Sequence, residues 1–162
     1  MRDLHFAISQ FLYREARLLD DRQWDDWLNC YHPQVVYWMP CWRDDDTLTT
    51  DPQRELSLIY YASRDGLEDR IYRIKTERSA ASTPEPRTTH QITNIELLGE
   101  EQGQIRVRYN WCTLSQRYNQ SASYFGHSEC LLQPLGDSFQ IMRKTIQLNN
   151  DYINQVIDIY HI

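Results

Sequence analysis

Apolar residues recur at Leu4, Ile8, Phe11, Leu12, Ala16 and Leu19, with Arg14, Glu15 and Arg17 on the opposite side, so a first amphipathic helix is predicted over Leu4 to Leu19. Trp24, Trp27, Leu28 and Tyr31 repeat at i, i+3, i+4 and i+7 and predict a second, shorter helix. Asp20-Asp21 would cap its start and His32-Pro33 would end it. Val35 to Pro40 is a strand by composition, with Pro40 placing its end at an edge or turn, and Arg43 to Asp46 reads as a solvated loop.

The block Asp51 to Arg78 is denser. Leu56, Leu58, Ile59, Tyr60 and Tyr61 form a β-favouring run, and Asp65 followed by Glu68 matches a capping box that would start a helix. Leu67, Ile71 and Ile74 then share one helical face, with Glu68, Asp69, Arg70, Arg73 and Glu77 around the rest. After a connection over Ser79 to Arg87 the period changes to two. Ile105, Val107, Tyr109, Trp111 and Thr113 alternate with Arg106, Arg108, Asn110, Cys112 and Leu114, which predicts a long strand with one aromatic and one mostly polar face. Thr89 to Leu98, Ser123 to Gln133 and Phe139 to Leu148 are its neighbours, and the short turns between them imply an antiparallel meander. Helices followed by long strands make an α+β domain, with the helices covering one face of a curved sheet.

A single domain over residues 1–162 is expected, with 149–162 as a docking tail. That tail carries seven large apolar residues, and leaving even four of them in water would forfeit about 6 kcal/mol. It should pack on its own sheet or in a subunit interface.

Composition removes several function classes. A formal net charge of −6 without a basic cluster argues against nucleic acid. No apolar run approaches the ~20 residues of a membrane span, and the N-terminus lacks a secretory pattern. Cys30, Cys41, Cys112 and Cys130 have no close pairing, which suits structural thiols in a reducing cytoplasm. His5, His32, His90, His127 and His161 are dispersed, with no HxxxH, HExxH or Cys-His pair for zinc, non-haem iron or a Rieske cluster. The five glycines form no phosphate-cradling loop. Five Trp and eleven Tyr point to a core, or an interface, rich in rings. One catalytic possibility survives: His90 or His127 as a general acid or base inside a cone, with Tyr37, Tyr109 and Tyr124 as hydrogen-bonding partners.

Six segments, in order and covering nearly the whole chain, carry a family resemblance: FLYREARLLDDRQWDDWL from Phe11, VVYWMP from Val35, DPQRELSLIYY from Asp51, GLEDRIYRIKTERS through Ser79, RTTHQITNIELL from Arg87, and NNDYINQVIDIYHI at the end. The chain resembles the small, or beta, subunit of an aromatic-ring-hydroxylating dioxygenase, in the branch that acts on benzoate, toluate or anthranilate. The resemblance implies a cystatin-like or NTF2-like cone, with N-terminal helices on a strongly curved, mostly antiparallel sheet. It also implies a large-subunit partner carrying the Rieske 2Fe-2S cluster and mononuclear iron, a three-plus-three hexamer, and a separate reductase delivering electrons from NADH. This chain would then hold no cofactor, metal or catalytic residue, and would serve assembly of an enzyme that cis-dihydroxylates an aromatic carboxylate. Benzoate is expected, with anthranilate or toluate as the alternatives. Arg64, Arg70, Arg73 and Arg78, whose guanidinium groups can bind carboxylates bidentately, are candidate interface residues. Tyr152, Ile153, Val156, Ile157 and Tyr160 of the tail are the apolar candidates. A stand-alone isomerase or dehydratase using His90 or His127 is the alternative class, and a non-catalytic small-ligand binder is a third.

Overall fold

The computed structural model describes residues 3–80, 85–151 and 157–162, without the side chains of 77–80. Three helices, α1 (Leu4–Asp20), α2 (Trp24–Leu28) and α3 (Arg64–Ala80), lie on one face of a six-stranded sheet. Its strands are β1 (Tyr31–Pro40), β2 (Ser57–Tyr61), β3 (Arg87–Glu101), β4 (Gln104–Arg117), β5 (Gln120–Leu135) and β6 (Ser138–Leu148), in the order β2-β1-β6-β5-β4-β3. The expected meander runs from β3 to β6 with antiparallel pairing throughout. β1 then enters beside β6 in parallel, through Tyr31↔Ile141 and Val36↔Arg143, which makes the sheet mixed. α1 packs mainly on β3, and α3 on β1 and β2, so the sheet wraps its helices from both ends.

Helix α1 buries Ile8, Phe11, Leu12, Ala16 and Leu19 as its period predicts, but Leu4, expected on the same face, is exposed, while Leu18 and Glu15, the latter expected on the opposite side, are buried. The second helix differs from expectation. Asp20 and Asp21 do not cap it, because they belong to the end of α1: Gln23 N–H donates to Leu18 O (2.9 Å) and Arg22 N–H to Leu19 O (3.1 Å), a Schellman closure with Arg22 at φ 56°. α2 ends at Leu28, and Tyr31, His32 and Pro33 already lie in β1. The periodic set still shares one core, since the Tyr31 ring packs 4.7 Å from Trp27 across the helix–strand junction. Two elements therefore satisfy a pattern that looked like one helix.

In α3 the residues Leu67, Ile71 and Ile74 are buried as predicted. The capping box does not form: the helix starts at Arg64, Asp65 N–H donates to Ser63 Oγ (3.3 Å), and Glu68 pairs with Arg64 at 2.9 Å. A charged pair one turn apart takes the carboxylate that the box would have used. In β4, Ile105, Val107, Tyr109, Trp111 and Thr113 all face inward and are buried.

The Arg43 loop is anchored rather than merely solvated. Arg43 Nε and Nη2 donate to Glu55 Oε2 at 2.9 and 2.6 Å, while Glu55 Oε1 accepts from Thr50 N and Asp51 N. Those backbone bonds and Arg43 hold the Glu55 carboxyl down at about 2. A folded value below the ordinary one means that the contribution is complete above about pH 4.5 and fades as the pH falls toward 2. Carboxyl NMR titration should place the Glu55 midpoint near 2, and Arg43→Ala should move it upward; an ordinary midpoint in the wild type would refute the anchor.

Candidate functional site

The inward faces of α1, α2, β1 and β6 bring a polar network into an otherwise aromatic core. Glu15 is 3% exposed, and its Oε1 accepts from Tyr31 OH (2.6 Å), Trp27 Nε1 (2.9 Å) and Lys144 Nζ (3.4 Å). Burial alone raises the Glu15 pKa, but Lys144, Tyr31 and Trp27 more than offset it, so the group is held below its ordinary value and stays ionised. Lys144 also lies 5.7 Å from the centroid of the Tyr37 ring. Tyr31, Tyr37 and Tyr109 hydroxyls are pushed well up, chiefly by burial, with Glu15 adding to each. The Cys130 thiol, 3.9 Å from Tyr109 OH, is raised to about 11 and Cys30 to about 12, so both are protonated thiols of low reactivity. Glu15 is thus a buried carboxylate already engaged by three donors, among phenols and thiols that keep their protons.

The two candidate histidines sit in different settings. His90 faces inward from β3 with its side chain 2% exposed. Its Nδ1 lies 2.5 Å from Asp20 Oδ1 and its Nε2 3.3 Å from Ile162 O, so both ring nitrogens are occupied. Asp20 also accepts from Thr88 Oγ1 and His90 N, both at 2.9 Å, and staples the end of α1 to β3. His127 lies on the outer, helix-free face of β5, where its neighbours in register are Asn110 and Gln147. Partial burial and nearby Arg108 lower its pKa. Neither ring is held by Tyr37, Tyr109 or Tyr124. A surface hollow of about 310 Å³ lies near Asn110, Cys112 and Phe125, and another of about 350 Å³ between Phe6, Phe11, Arg14 and Phe139; neither is lined by His90 or His127. Among the described residues no group of three or more His, Cys, Asp or Glu could hold a metal ion.

Arg64 donates from Nε to Glu68 and from Nη1 to Tyr31 O (3.1 Å), within its own chain. Arg70 forks onto the Asp158 carboxylate, with Nε 2.9 Å from Oδ1. Arg73 is 63% exposed and pairs with Asp69 at 3.3 Å, next to Tyr72, which is 66% exposed. The Arg78 side chain and Tyr152, Ile153 and Val156 lie outside the described residues. Ile157 is buried against the core, and Tyr160 packs 6.3 Å from Trp24. Sequence reading missed Glu15, Lys144, Asp20 and Asp158. Glu15 and Asp20 each sat inside an expected helix-surface or capping role, and no local signal separates a buried charge from a solvated one.

Helices covering one face of a mixed sheet, with a polar network sealed among rings, define an α+β cone of the NTF2-like class. The model of the ring hydroxylating beta subunit family matches residues 14–155. The beta subunit of benzoate 1,2-dioxygenase from Acinetobacter baylyi is 61% identical over 96% of this chain and 92% of its own length. The toluate 1,2-dioxygenase beta subunit of Pseudomonas putida is 52% identical over 96% of each chain. A crystal structure of the beta subunit of benzoate 1,2-dioxygenase from Burkholderia mallei superposes with a TM-score of 0.85 at 49% identity, covering 100% of this chain and 99% of that one. This chain belongs to the ring-hydroxylating dioxygenase beta subunit family, and is the small subunit of such an oxidoreductase.

Proposed function

We propose that the chain is the assembly subunit of a benzoate 1,2-dioxygenase and carries no catalytic centre of its own. The observation that carries this reading is the 61% identity, over nearly the full length of both chains, to a benzoate 1,2-dioxygenase beta subunit. The engaged state of Glu15 and His90, the two buried groups best suited to proton transfer, supports the non-catalytic part. The reaction belongs to a large-subunit partner that holds a Rieske cluster and a mononuclear iron, in a hexamer of three large and three small subunits fed by a separate reductase. That enzyme adds both atoms of dioxygen to benzoate and yields a cis-dihydrodiol. Four free cysteines suit a reducing cytoplasm.

Arg73, with exposed Tyr72 beside it, is the α3 position best placed for a partner, because Arg and Tyr are enriched where interfaces lose water. Arg64 and Arg70 contribute by holding α3 to β1 and to the end of the chain. Arg78 and the tail residues Tyr152, Ile153, Val156, Ile157 and Tyr160 complete the proposed contact set. Co-expression of the tagged chain with its large subunit tests the assignment. The pair should co-purify as a brown iron-sulfur complex that oxidises benzoate in preference to anthranilate or toluate. The double substitution Y72E/R73E should cut recovery of the large subunit about tenfold or more, a loss expected when an interface hot spot is replaced by unpaired charge. A complex that prefers anthranilate would overturn the substrate, and unchanged recovery would overturn the α3 contact.

A further inference from the structure

Residues 157–162 form a strap across the core, with Ile157, Ile159 and Ile162 buried and a 3-10 turn over Ile159–His161. Two histidines hold it, and they do so with opposite chemistry. His90 of β3 places Nε2 3.3 Å from Ile162 O and Nδ1 2.5 Å from Asp20 Oδ1. Both neighbours are acceptors, whereas a neutral imidazole carries a single N–H. One contact would then set a lone pair against an oxygen. A ring with a proton on each nitrogen satisfies both. Its counter-charge is the Asp20 carboxylate, which Thr88 Oγ1 and His90 N–H also keep ionised by donating to it.

His161, in the strap itself, is the converse. Asp158 N–H donates to its Nδ1 at 2.9 Å, so that nitrogen carries no proton. No acceptor awaits a charged ring, because Nε2 is buried without a hydrogen-bond partner among the described residues, and the Tyr124 and Tyr160 rings lie 4.9 and 4.6 Å away. Burial above all, helped by His90 of β3 and Arg117 of β4 and opposed by Asp158, holds His161 down at about 4. The charged groups around His90 are Asp20 and Glu15 of α1, and Arg70 of α3 is taken by Asp158.

We propose that His90 and His161 form a two-proton latch on residues 157–162: His90 clasps the strap only while both its ring nitrogens carry protons, and His161 only while its Nδ1 carries none. The strap is therefore closed in a middle range of pH and opens on either side of it. On the acid side, His161 is neutral when closed and takes a proton near the ordinary 6.5 once released. Closure is thus complete above about 6.5 and weakens as the pH falls toward 4. On the alkaline side the sign reverses, since closure is lost as rising pH removes a proton that only the closed His90 site uses.

The test uses the full chain. Nitrogen-15 spectra near pH 6.5, about the ordinary histidine midpoint, should show two ring protons on His90 and one, on Nε2, on His161. A single ring proton on His90, or a proton on His161 Nδ1, overturns the latch. Amide exchange at Asp158, corrected for its intrinsic pH dependence, should be slowest in the middle range and faster on both sides, while amides of β4 and β5 stay protected. His90→Gln, which cannot change charge, should remove the alkaline limb and speed exchange in the middle range about tenfold or more, as loss of a hydrogen bond to a charged group implies. His161→Asn offers Asp158 N–H an amide oxygen that does not titrate, and should remove the acid limb between about 6.5 and 4. Asp158 keeps Arg70 in both variants, so a limb that survives the loss of its histidine overturns the proposal. Should a variant fail to fold by near-ultraviolet circular dichroism, the ring-proton count of the wild-type chain decides.

Discussion

Glu15→Ala is expected to destabilise the folded chain by about 3–5 kcal/mol, the range seen when one partner of a buried ion pair is removed. The substitution leaves Lys144, 4% exposed at the side chain, without its carboxylate, and removes the acceptor of both Tyr31 OH and Trp27 Nε1. It also opens a void at a fully packed junction of α1, α2, β1 and β6. Glu15→Gln should cost less, because an amide oxygen still accepts from Tyr31 and Trp27. The pair Glu15→Ala with Lys144→Met should recover much of the loss, since an apolar replacement removes the stranded charge. The folded Glu15 pKa is depressed, so its stabilisation is present above the unfolded value near 4.5 and is lost as the pH falls through the lower folded value. The gap between wild type and Glu15→Gln should therefore narrow in acid. Urea unfolding at several pH values measures all of these, and a Glu15→Ala loss below about 1 kcal/mol would show that the network is not structural.

The second large effect is expected at Gly126, where β5 passes β6. A Cβ at this position would run into the backbone carbonyl of Gln147, with Leu148 Cα 3.3 Å away. A side chain could swing aside, but this obstacle is the neighbouring strand. Gly126→Ala must push β6 away near the Gly126↔Leu148 pair, and Leu148 O also accepts from Trp42 Nε1 at 2.6 Å. Overpacking against backbone should cost about 3 kcal/mol, which for a chain of this size lowers Tm by about 6–12 °C. Differential scanning calorimetry checks it, and a Tm within 2 °C of wild type, about the shift of a 1 kcal/mol change, would mean that the strands can part.

Much of the fold was legible because local periodicity carries it. The burial of β4 alternates as its residues alternate, and Leu67, Ile71 and Ile74 take the inner face of α3. The misreadings occurred where two elements shared one pattern or one charge. Trp24, Trp27, Leu28 and Tyr31 keep a helical spacing although the helix stops at Leu28, because Tyr31 reaches the same ring cluster from β1. Asp20 was chemically a good cap, yet at the end of α1 it serves Thr88 and His90, about seventy residues away. Nothing near Arg70 in the sequence announced its partner within the chain, Asp158, 88 residues distant. Short-range preference cannot weigh such contacts, because their energy exists only once the chain has closed the loops between them.

By itself the sequence determined the element types, the inner faces of the long strands and, through six ordered segments, the dioxygenase small-subunit family. Period and wording are both local properties, and they survive without coordinates. Only the tertiary structure decided that β1 lies parallel to β6, that Glu15 and Lys144 are buried as a pair, that His90 is held by Asp20 and the end of the chain, and that Asp158 ties the terminal strap to Arg70. Each of these joins residues far apart in sequence, and a charge alone in the chain carries no mark of the partner that folding will bring to it.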